Sequence, residues 1–283
     1  SEGLWIDHPG ATAELERRRR EREITETLHG RLQSFMADGY VILKHAVAQS
    51  TIDAILTHVN RIGEAPEYYV ERRNRAGYCY PDPAGFNRNS RVIELYVNCE
   101  AARDAMFAPD ITSFLEAIFE DAPRAFQSLY FEYGSQQAIH QDTAYVVADP
   151  PTSIAAAWIA LEDVQPGAGE LMYYAGSHRN PPFYFGGERR SWNPAQDGGG
   201  QHNEFLRRLH EDSQARGLPM RSFMAEKGDV LIWHADLAHG GATITEPDLT
   251  RRSLVVHFCP AWATPKYFTF TPFRAVREHH SGG

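Results

Sequence analysis

The segment His140-Gln141-Asp142-Thr143 carries the most information about the fold of this 283-residue chain. It lies in residues 139–147, a β-branched and aromatic run that predicts a strand. Because residues i and i+2 of a strand face the same side, His140 and Asp142 would project together. A His-x-Asp tripeptide also arises by chance with its histidine at the surface, so partners elsewhere in the chain decide its meaning.

A second histidine and an arginine later in the chain are the candidate partners. His239 follows the apolar run 230–234 and precedes two glycines. Two histidines and one carboxylate on one face of a metal, with the other positions open, form the site of non-haem Fe(II) oxygenases. Arg251 opens a β-branched run, where a buried guanidinium would bind a dicarboxylate through two parallel hydrogen bonds and Ser253 would add a hydroxyl. An exposed strand end is the alternative for Arg251.

Short β-rich segments separated by turns dominate the chain after residue 125. They are 127–133, 139–147, 154–161, 171–174, 222–223, 230–234 and 253–258. Such spacing indicates a β-sandwich or barrel. Before residue 125 the pattern predicts helices over 11–37, 50–62 and 109–119, a strand over 40–43 and a loop over 77–90. The fold prediction is therefore mainly β with flanking α-helices.

The domain prediction is one unit over residues 1–283. It has a helical part over about 11–125, a β-core over about 126–260 and an irregular, lid-like insertion over about 180–201, which a polar helix over 203–216 follows. An insertion of this length in a compact domain is typically functional.

Composition narrows the class of protein and of partner. The net charge of −9 disfavours phosphate backbones, and the run Arg17-Arg18-Arg19-Arg20 lies among glutamates at helical spacing, which predicts ion pairs on a solvated helix face. We therefore expect no nucleic acid partner. Three separated cysteines without CxxC favour a reducing cytoplasm. No apolar run of membrane-spanning length occurs, and Ser1 to Gly10, which lacks signal-peptide features, is left out of the fold prediction.

Together these segments resemble the phytanoyl-CoA dioxygenase family of 2-oxoglutarate oxygenases over roughly residues 31–260. The matching segments, in order, are Phe35-Met36-Ala37-Asp38-Gly39-Tyr40-Val41, His140-Gln141-Asp142-Thr143, Trp158-Ile159-Ala160-Leu161-Glu162-Asp163-Val164, Gly169-Glu170-Leu171 with Ala175-Gly176-Ser177-His178, Gly228-Asp229-Val230-Leu231-Ile232-Trp233-His234 with His239-Gly240, and Arg251. Each segment is modest, and their shared order is specific.

The resemblance implies a double-stranded β-helix, or jelly-roll barrel, with iron at its mouth. It implies that His140, Asp142 and His239 ligate Fe(II) and that Arg251 binds the distal carboxylate of 2-oxoglutarate. Ser253 would assist Arg251, and Trp158 matches a family tryptophan near the co-substrate, although a core aromatic is an equal alternative. No catalytic residue is expected beyond the metal ligands.

The chain departs from the family pattern at one position and leaves another contact open. The family often has a serine two residues after the distal histidine, where this chain has Gly241. A further polar contact upstream of the metal motif is unassigned, and its candidates are Arg72, Arg73, Arg75 and Gln137. His234 and His257 compete with His239 as third ligand, but the order of the motifs favours His239. We expect His178 either to have a structural role or to lie at the entrance through which the substrate reaches the site.

The implied reaction consumes 2-oxoglutarate and O₂, releases succinate and CO₂, and oxidises a C–H bond of a small molecule. Because related halogenases lack the carboxylate that Asp142 provides, hydroxylation is favoured, with desaturation, cyclisation or epimerisation left open. A non-catalytic jelly-roll binding protein and a cupin-like enzyme with another metal are the alternatives. The sequence leaves the substrate and the oligomeric state open. The aromatic and arginine-rich segment 68–80 and the insertion 180–201 are candidate lids, with loop packing as the alternative.

Overall fold

The structure is a computed structural model that describes residues 3–73, 77–86, 88, 90–266 and 279–280. Its helices are α1 Ala11–Arg20, α2 Glu26–Asp38, α3 Gln49–Val59, α4 Glu100–Met106, α5 Pro109–Phe119 and α6 Pro194–Ala215. Its strands are β1 Tyr40–Leu43, β2 Val70–Arg73, β3 Gly77–Cys79, β4 Ser90–Ile93, β5 Pro123–Phe131, β6 Ala148–Asp149, β7 Ala155–Ala160, β8 Leu171–Tyr174, β9 Met220–Phe223, β10 Val230–His234, β11 His239–Gly241, β12 Ser253–Pro260, β13 Thr264–Pro265 and β14 His279–His280.

Most strands belong to one large antiparallel sheet. Its order is β1-β10-β7-β12-β5-β4-β2-β3, and β14 also pairs with β5. A smaller sheet has the order β11-β8-β9, and β13 pairs with β6. The side chains of Leu171, Tyr173 and Phe223 from the smaller sheet share one apolar cluster with Trp158 and Leu231 of the larger one. Two sheets that enclose a core in this way form the jelly roll, so the predicted fold class is confirmed.

Successive side chains along the central strands alternate between the two faces of the large sheet, and each face packs in a different apolar cluster. In β7, Ala155, Ala157 and Ile159 pack in the cluster that the N-terminal helices share, whereas Ala156 and Trp158 lie in the cluster between the sheets. This follows from the two-residue period of a strand, and it explains why β7 is buried along its whole length. The inward face is the one that carries the candidate site.

The N-terminal part differs from the prediction in two ways. The predicted helix over 11–37 is broken into α1 and α2, because the turn at Arg22 has a positive φ and Thr25 begins a new helix, accepting a hydrogen bond from the Leu28 amide. Residues 3–10, which the fold prediction left out, belong to the fold. Leu4 and Ile6 are buried in the core. The prediction for α5 and β1 is confirmed.

Three further segments correct the sequence prediction. Residues 139–147 form no continuous strand, because after an isolated bridge at His140 the chain turns into a 3-10 helix over Asp142–Ala144. Gly77–Cys79, predicted as loop, pairs with β2 as an edge strand. The predicted irregular insertion over 180–201 ends earlier, because α6 begins at Pro194 and continues past a non-helical Gly198.

The run Arg17 to Arg20 forms the predicted ion pairs, with Arg18 Nε 2.7 Å from a Glu14 carboxylate oxygen and Arg17 in contact with Glu14, Glu21 and Glu23. Within the described residues, no helix has the length and apolar character needed to cross a membrane.

Candidate active site

Two histidines and one aspartate converge at the mouth of the barrel. The Nε2 atoms of His140 and His239 lie 4.0 and 3.7 Å from Asp142 Oδ1, and the ring centroids of the histidines are 4.5 Å apart. All three donor atoms lie within 4.8 Å of one another. The structure therefore brings the three residues predicted as metal ligands together.

The unused nitrogen of each histidine is bound to the backbone. His140 Nδ1 is 2.8 Å from the Ala138 carbonyl oxygen, and His239 Nδ1 is 2.9 Å from that of Leu237. A carbonyl only accepts, so each Nδ1 donates its proton and each Nε2 keeps a free lone pair directed at the cluster. Backbone carbonyls orient metal-binding histidines in this way in many proteins.

The two oxygens of Asp142 have different surroundings. Oδ1 faces the histidine pair, whereas Oδ2 accepts a hydrogen bond of 2.8 Å from Trp233 Nε1 and lies 3.3 Å from His257 Nε2. Burial alone would raise the pKa of Asp142, but His239, His257 and His140 together hold it below its ordinary range. Burial, and then the neighbouring His239, lowers the pKa of His140 to about 4. At neutral pH the cluster therefore offers the neutral imidazole of His140 and the carboxylate of Asp142, and with His239 Nε2 these atoms form the donor set that suits Fe(II).

Backbone contacts fix this arrangement. His140 and His239 exchange two backbone hydrogen bonds, of 2.8 and 2.9 Å, which join the two ligand segments directly. A side chain at Gly240 would meet the Gln137 carbonyl oxygen at 2.7 Å, and one at Gly241 would meet Ser135 Oγ at 2.7 Å. The departure from the family pattern at Gly241 thus has a steric reason, because Ser135, which lines the cavity, occupies that space.

Arg251 lines the same cavity as the cluster. It is 2% exposed, and its Nη2 is 3.3 Å from Ser253 Oγ, while its Nε has no hydrogen-bond partner. Its guanidinium lies over the rings of Trp158 and Phe131, at 5.4 and 5.8 Å, and no carboxylate of the described residues is within ion-pair distance. Burial lowers its pKa to about 10. A buried cation that no described carboxylate contacts fits the carboxylate of a dicarboxylic acid.

The cavity has a volume of about 680 Å³, and it is lined by the cluster, by Arg251 and His257, and by Trp192 of the insertion. Its outer wall contains Tyr145, Trp192 and His202. The Tyr145 hydroxyl is 2.6 Å from His202 Nε2, and the Trp192 and His202 rings stack with centroids 4.1 Å apart. Part of the predicted lid therefore borders the cavity directly.

Other residues singled out in the sequence lie in several places. Gln137 and Arg72 line the cavity, whereas His178 and His234 lie in a separate pocket beside Asp7. The competing ligand His234 is 3.1 Å from Asp7 Oδ2 and so is directed away from the cluster. Arg75 and the side chains of Arg73 and Tyr78 lie outside the described residues.

Sequence reasoning missed Trp233 and Arg91 and gave His257 no role beside Asp142. Trp233 and His257 both lie at inward positions, His257 in register with Ser253 by the two-residue period of β12, and that period is the signal that points to them. Arg91 lines the cavity and interrupts an apolar strand, which was visible in the sequence.

A second cluster of potential ligands, His45, Glu226 and Asp229, is of a different kind. The Lys44 ammonium lies 2.6 Å from Asp229 and 2.9 Å from Glu226, so a cation already neutralises these carboxylates. Asp229 also accepts hydrogen bonds from the backbone amides of His45 and Glu226. This group therefore stabilises a turn.

A jelly roll with this cluster and a buried arginine in one cavity is the arrangement expected of the class of 2-oxoglutarate-dependent oxygenases. The family model described as Phytanoyl-CoA dioxygenase (PhyH) matches residues 35–253. The chain belongs to the phytanoyl-CoA dioxygenase family, and the family that the sequence predicted is confirmed. The roles of individual site residues stay predictions.

Two curated relatives are similar at the level of sequence. The peroxisomal phytanoyl-CoA dioxygenase of Bos taurus is 27% identical over 133 residues, which cover 45% of this chain and 34% of the bovine protein. The chain thus matches about a third of that relative. Phytanoyl-CoA dioxygenase domain-containing protein 1 of Mus musculus is 22% identical over 221 residues, covering 74% of this chain and 72% of the mouse protein.

Solved structures share the fold at lower identity. The epimerase SnoN of nogalamycin biosynthesis, in complex with Fe³⁺, α-ketoglutarate and nogalamycin RO, has a TM-score of 0.62 at 20% identity. The match covers 91% of this chain and 96% of the SnoN chain. EctD from S. alaskensis, with 2-oxoglutarate and 5-hydroxyectoine, has a TM-score of 0.57 at 18% identity. The match covers 81% of this chain and 74% of the EctD chain.

Proposed function

We propose that this chain is an Fe(II)- and 2-oxoglutarate-dependent dioxygenase that hydroxylates a small-molecule metabolite. The observation that carries this proposal is the combination of the His140, Asp142 and His239 cluster with Arg251 in one cavity. Binding alone would need no such set, and a relative of the same fold holds both iron and α-ketoglutarate.

Iron(II) with 2-oxoglutarate and O₂ supplies an oxidant for a substrate C–H bond, with succinate and CO₂ as co-products. His140, Asp142 and His239 would hold the iron, and Arg251 with Ser253 would bind the carboxylate of the co-substrate that is remote from the metal. Trp233 and His257 keep Asp142 Oδ2 in place, which leaves Oδ1 for the iron. Tyr145 and Trp192 form the wall that keeps water from the substrate side.

The carboxylate of Asp142 supports hydroxylation rather than halogenation, because it occupies the ligand position that a halide would need. We further propose one domain for the whole chain, which is supported by the core that the N-terminal helices and the large sheet share. We also propose a cytoplasmic location, which is supported by the wide separation of Cys79, Cys99 and Cys259 and the absence of a CxxC motif from the sequence.

The test is anaerobic addition of Fe(II) and 2-oxoglutarate with a visible spectrum. We expect the weak metal-to-ligand charge-transfer band of this class in the parent protein. It should be lost in Asp142→Ala and need far more 2-oxoglutarate in Arg251→Ala. A folded, iron-loaded parent without the band would favour a non-catalytic or other-metal jelly roll.

A further inference from the structure

A buried carboxylate that is not a proposed metal ligand lies in the turn between β10 and β11. Asp236 is 7% exposed, and its side chain contacts two segments that are distant from it in sequence. One of its oxygens, Oδ1, accepts hydrogen bonds of 2.7 Å from Thr143 Oγ1 and 2.6 Å from Arg190 Nη2. Thr143 belongs to the metal motif and Arg190 to the insertion that follows residue 180. Asp236 therefore joins the insertion to the segment that carries Asp142.

The carboxylate of Asp236 is not needed to close the turn itself. The backbone amide of Asp236 donates to His234 Nδ1 at 3.0 Å, and the Leu237 amide donates to the His234 carbonyl at 2.8 Å. Both bonds come from backbone amides of the turn, and neither uses Asp236 Oδ1. What the carboxylate adds is its contact with Thr143 and Arg190. The side chain therefore acts on neighbouring segments rather than on its own turn.

Hydrogen bonds at three successive residues hold the segment that carries Asp142. Gln141 Nε2 donates to the Asp236 carbonyl at 2.6 Å, and the Asp142 amide donates to the Ala235 carbonyl at 3.0 Å. The bond from Thr143 to the Asp236 carboxylate is the third. A shift of Asp236 would therefore displace the Asp142 carboxylate from the two histidines of the cluster.

The insertion is bound to the same segment at a second point. The Trp192 amide donates to the Ala144 carbonyl at 3.0 Å, in the 3-10 turn that begins at Asp142, and Trp192 lines the cavity. The guanidinium of Arg190 lies 5.8 Å from the Tyr184 ring centroid, and most of the Arg190 side chain is buried. A buried ion pair adds little net stability, because desolvation offsets the attraction. We therefore expect the main effect of the pair to be on the position of the groups that it joins.

We propose that Arg190 and Asp236 are positioning residues, which hold Asp142 in the geometry that binds iron and couple it to the insertion bordering the cavity. Both act on the iron through Thr143 and the 3-10 turn rather than as ligands. This inference rests on the proposed function, because it takes Asp142 as an iron ligand. By the reciprocity of linked equilibria, iron at Asp142 also holds the insertion more firmly in place.

The first test measures the Fe(II) affinity of variants of the pair, without air and without substrate, by competition with a chromogenic chelator. Arg190→Gln and Asp236→Asn should each raise the Kd of Fe(II) about 10-fold, the lower end of the range for residues that orient metal ligands. The double variant should lie within about threefold of the weaker single variant, because the two residues act as one unit. Arg190→Lys keeps the charge and should stay within about threefold of the parent.

Arg189→Gln is the matched control, one residue away in the same insertion. Arg189 Nη2 lies 2.5 Å from Asp197 Oδ1, so this variant also breaks an ion pair, but one between the insertion and α6. Its Fe(II) Kd should stay within about threefold of the parent. Thermal unfolding of each metal-free variant distinguishes loss of the fold from loss of the ligand geometry. Arg190→Gln is sufficient for the test if Asp236→Asn does not fold.

The second test measures the coupling in the opposite direction, by hydrogen exchange of the insertion over residues 183–193. Fe(II) should slow amide exchange there about threefold in the parent and in Arg189→Gln, but not in Arg190→Gln. An ion pair with a merely structural role would change exchange in the metal-free protein and leave this metal-dependent difference intact.

Four results would overturn the proposal. The first is a folded Arg190→Gln protein that binds Fe(II) as tightly as the parent. The second is an equal loss in Arg189→Gln, which would assign the effect to the insertion as a whole. The third is additive losses in the double variant, and the fourth is insertion exchange in the parent that Fe(II) leaves unchanged. Failure of the proposed function is distinguishable, because the parent itself would then show no charge-transfer band with Fe(II) and 2-oxoglutarate.

Discussion

Replacement of Arg251 by methionine should stabilise the unliganded protein and at the same time impair its binding of 2-oxoglutarate. The guanidinium is 2% exposed, lacks an ion-pair partner among the described residues and leaves its Nε without a hydrogen bond. Folding therefore takes a cation out of water, and the charges of Glu170 and Glu162 offset this burial only in part and without contact. A methionine of similar length would fill the space without that cost.

The magnitude follows from the pKa of Arg251, which burial lowers to about 10. One pKa unit corresponds to ~1.4 kcal/mol, so the charged side chain costs about 3 kcal/mol of folding free energy. Contacts with the rings of Trp158 and Phe131 offset roughly 1 kcal/mol of this. The net gain expected for Arg251→Met is about 2 kcal/mol. For a cation with a lowered pKa the penalty is complete below pH 10, so measurements at pH 7.5 lie on the plateau.

Urea unfolding of the metal-free parent and Arg251→Met proteins measures the gain in the free energy of unfolding. Anaerobic titration of the Fe(II) forms with 2-oxoglutarate measures the loss of affinity for the co-substrate. Without the charge-assisted hydrogen bonds we expect the Kd of 2-oxoglutarate to rise about 100-fold, equivalent to ~3 kcal/mol. Arg251→Lys, which keeps the charge but not the forked geometry, is the control and should be no more stable than the parent. If Arg251→Met were less stable than the parent by 1 kcal/mol or more, the reasoning about an uncompensated cation would be refuted.

Three further predictions concern neighbouring features. Trp233→Phe removes the 2.8 Å hydrogen bond to Asp142 Oδ2 and should weaken Fe(II) binding about 10-fold, and a change below threefold in a metal titration of the folded variant would contradict this. Because the pKa of His140 is lowered to about 4, the metal-free protein should lose up to ~1.4 kcal/mol of stability per unit as the pH falls from 6.5 toward 4. Urea unfolding at pH 7 and pH 5 should show a smaller loss in His140→Gln. Thr25→Ala removes the cap of α2, a 3.1 Å hydrogen bond from the Leu28 amide, and should cost about 1 kcal/mol in urea unfolding while Fe(II) affinity stays constant.

The sequence was sufficient for the fold where pattern and burial agree. The apolar runs of β7 and β10 lie at the predicted positions because these strands are buried on both faces and have no competing local signal. The helix prediction over 11–37 was too long because its helix-favouring composition obscured the capping threonine at position 25. Intrinsic helix propensity is a weak indicator of where one helix ends and the next begins.

The candidate site was predictable in its members and less so in its scaffold. His140 and Asp142 face one side as expected, although a single bridge and a 3-10 turn take the place of a strand. Extended backbone at Gln141 is enough to give that orientation. Trp233 and the role of His257 were missed because a hydrogen bond between separate strands depends on which strands become neighbours, and no local pattern encodes that order.

The backbones of His140 and His239 pair with each other, so the positions of these two proposed ligands do not depend on which side chains they carry. Two main-chain hydrogen bonds hold these segments together, and neither involves an imidazole. A substitution at Asp142 would therefore change the coordination chemistry and leave the architecture of the mouth in place. In evolutionary terms, such a scaffold would allow the set of donor atoms to change by single replacements, because the backbone pairing of the two segments does not depend on those side chains.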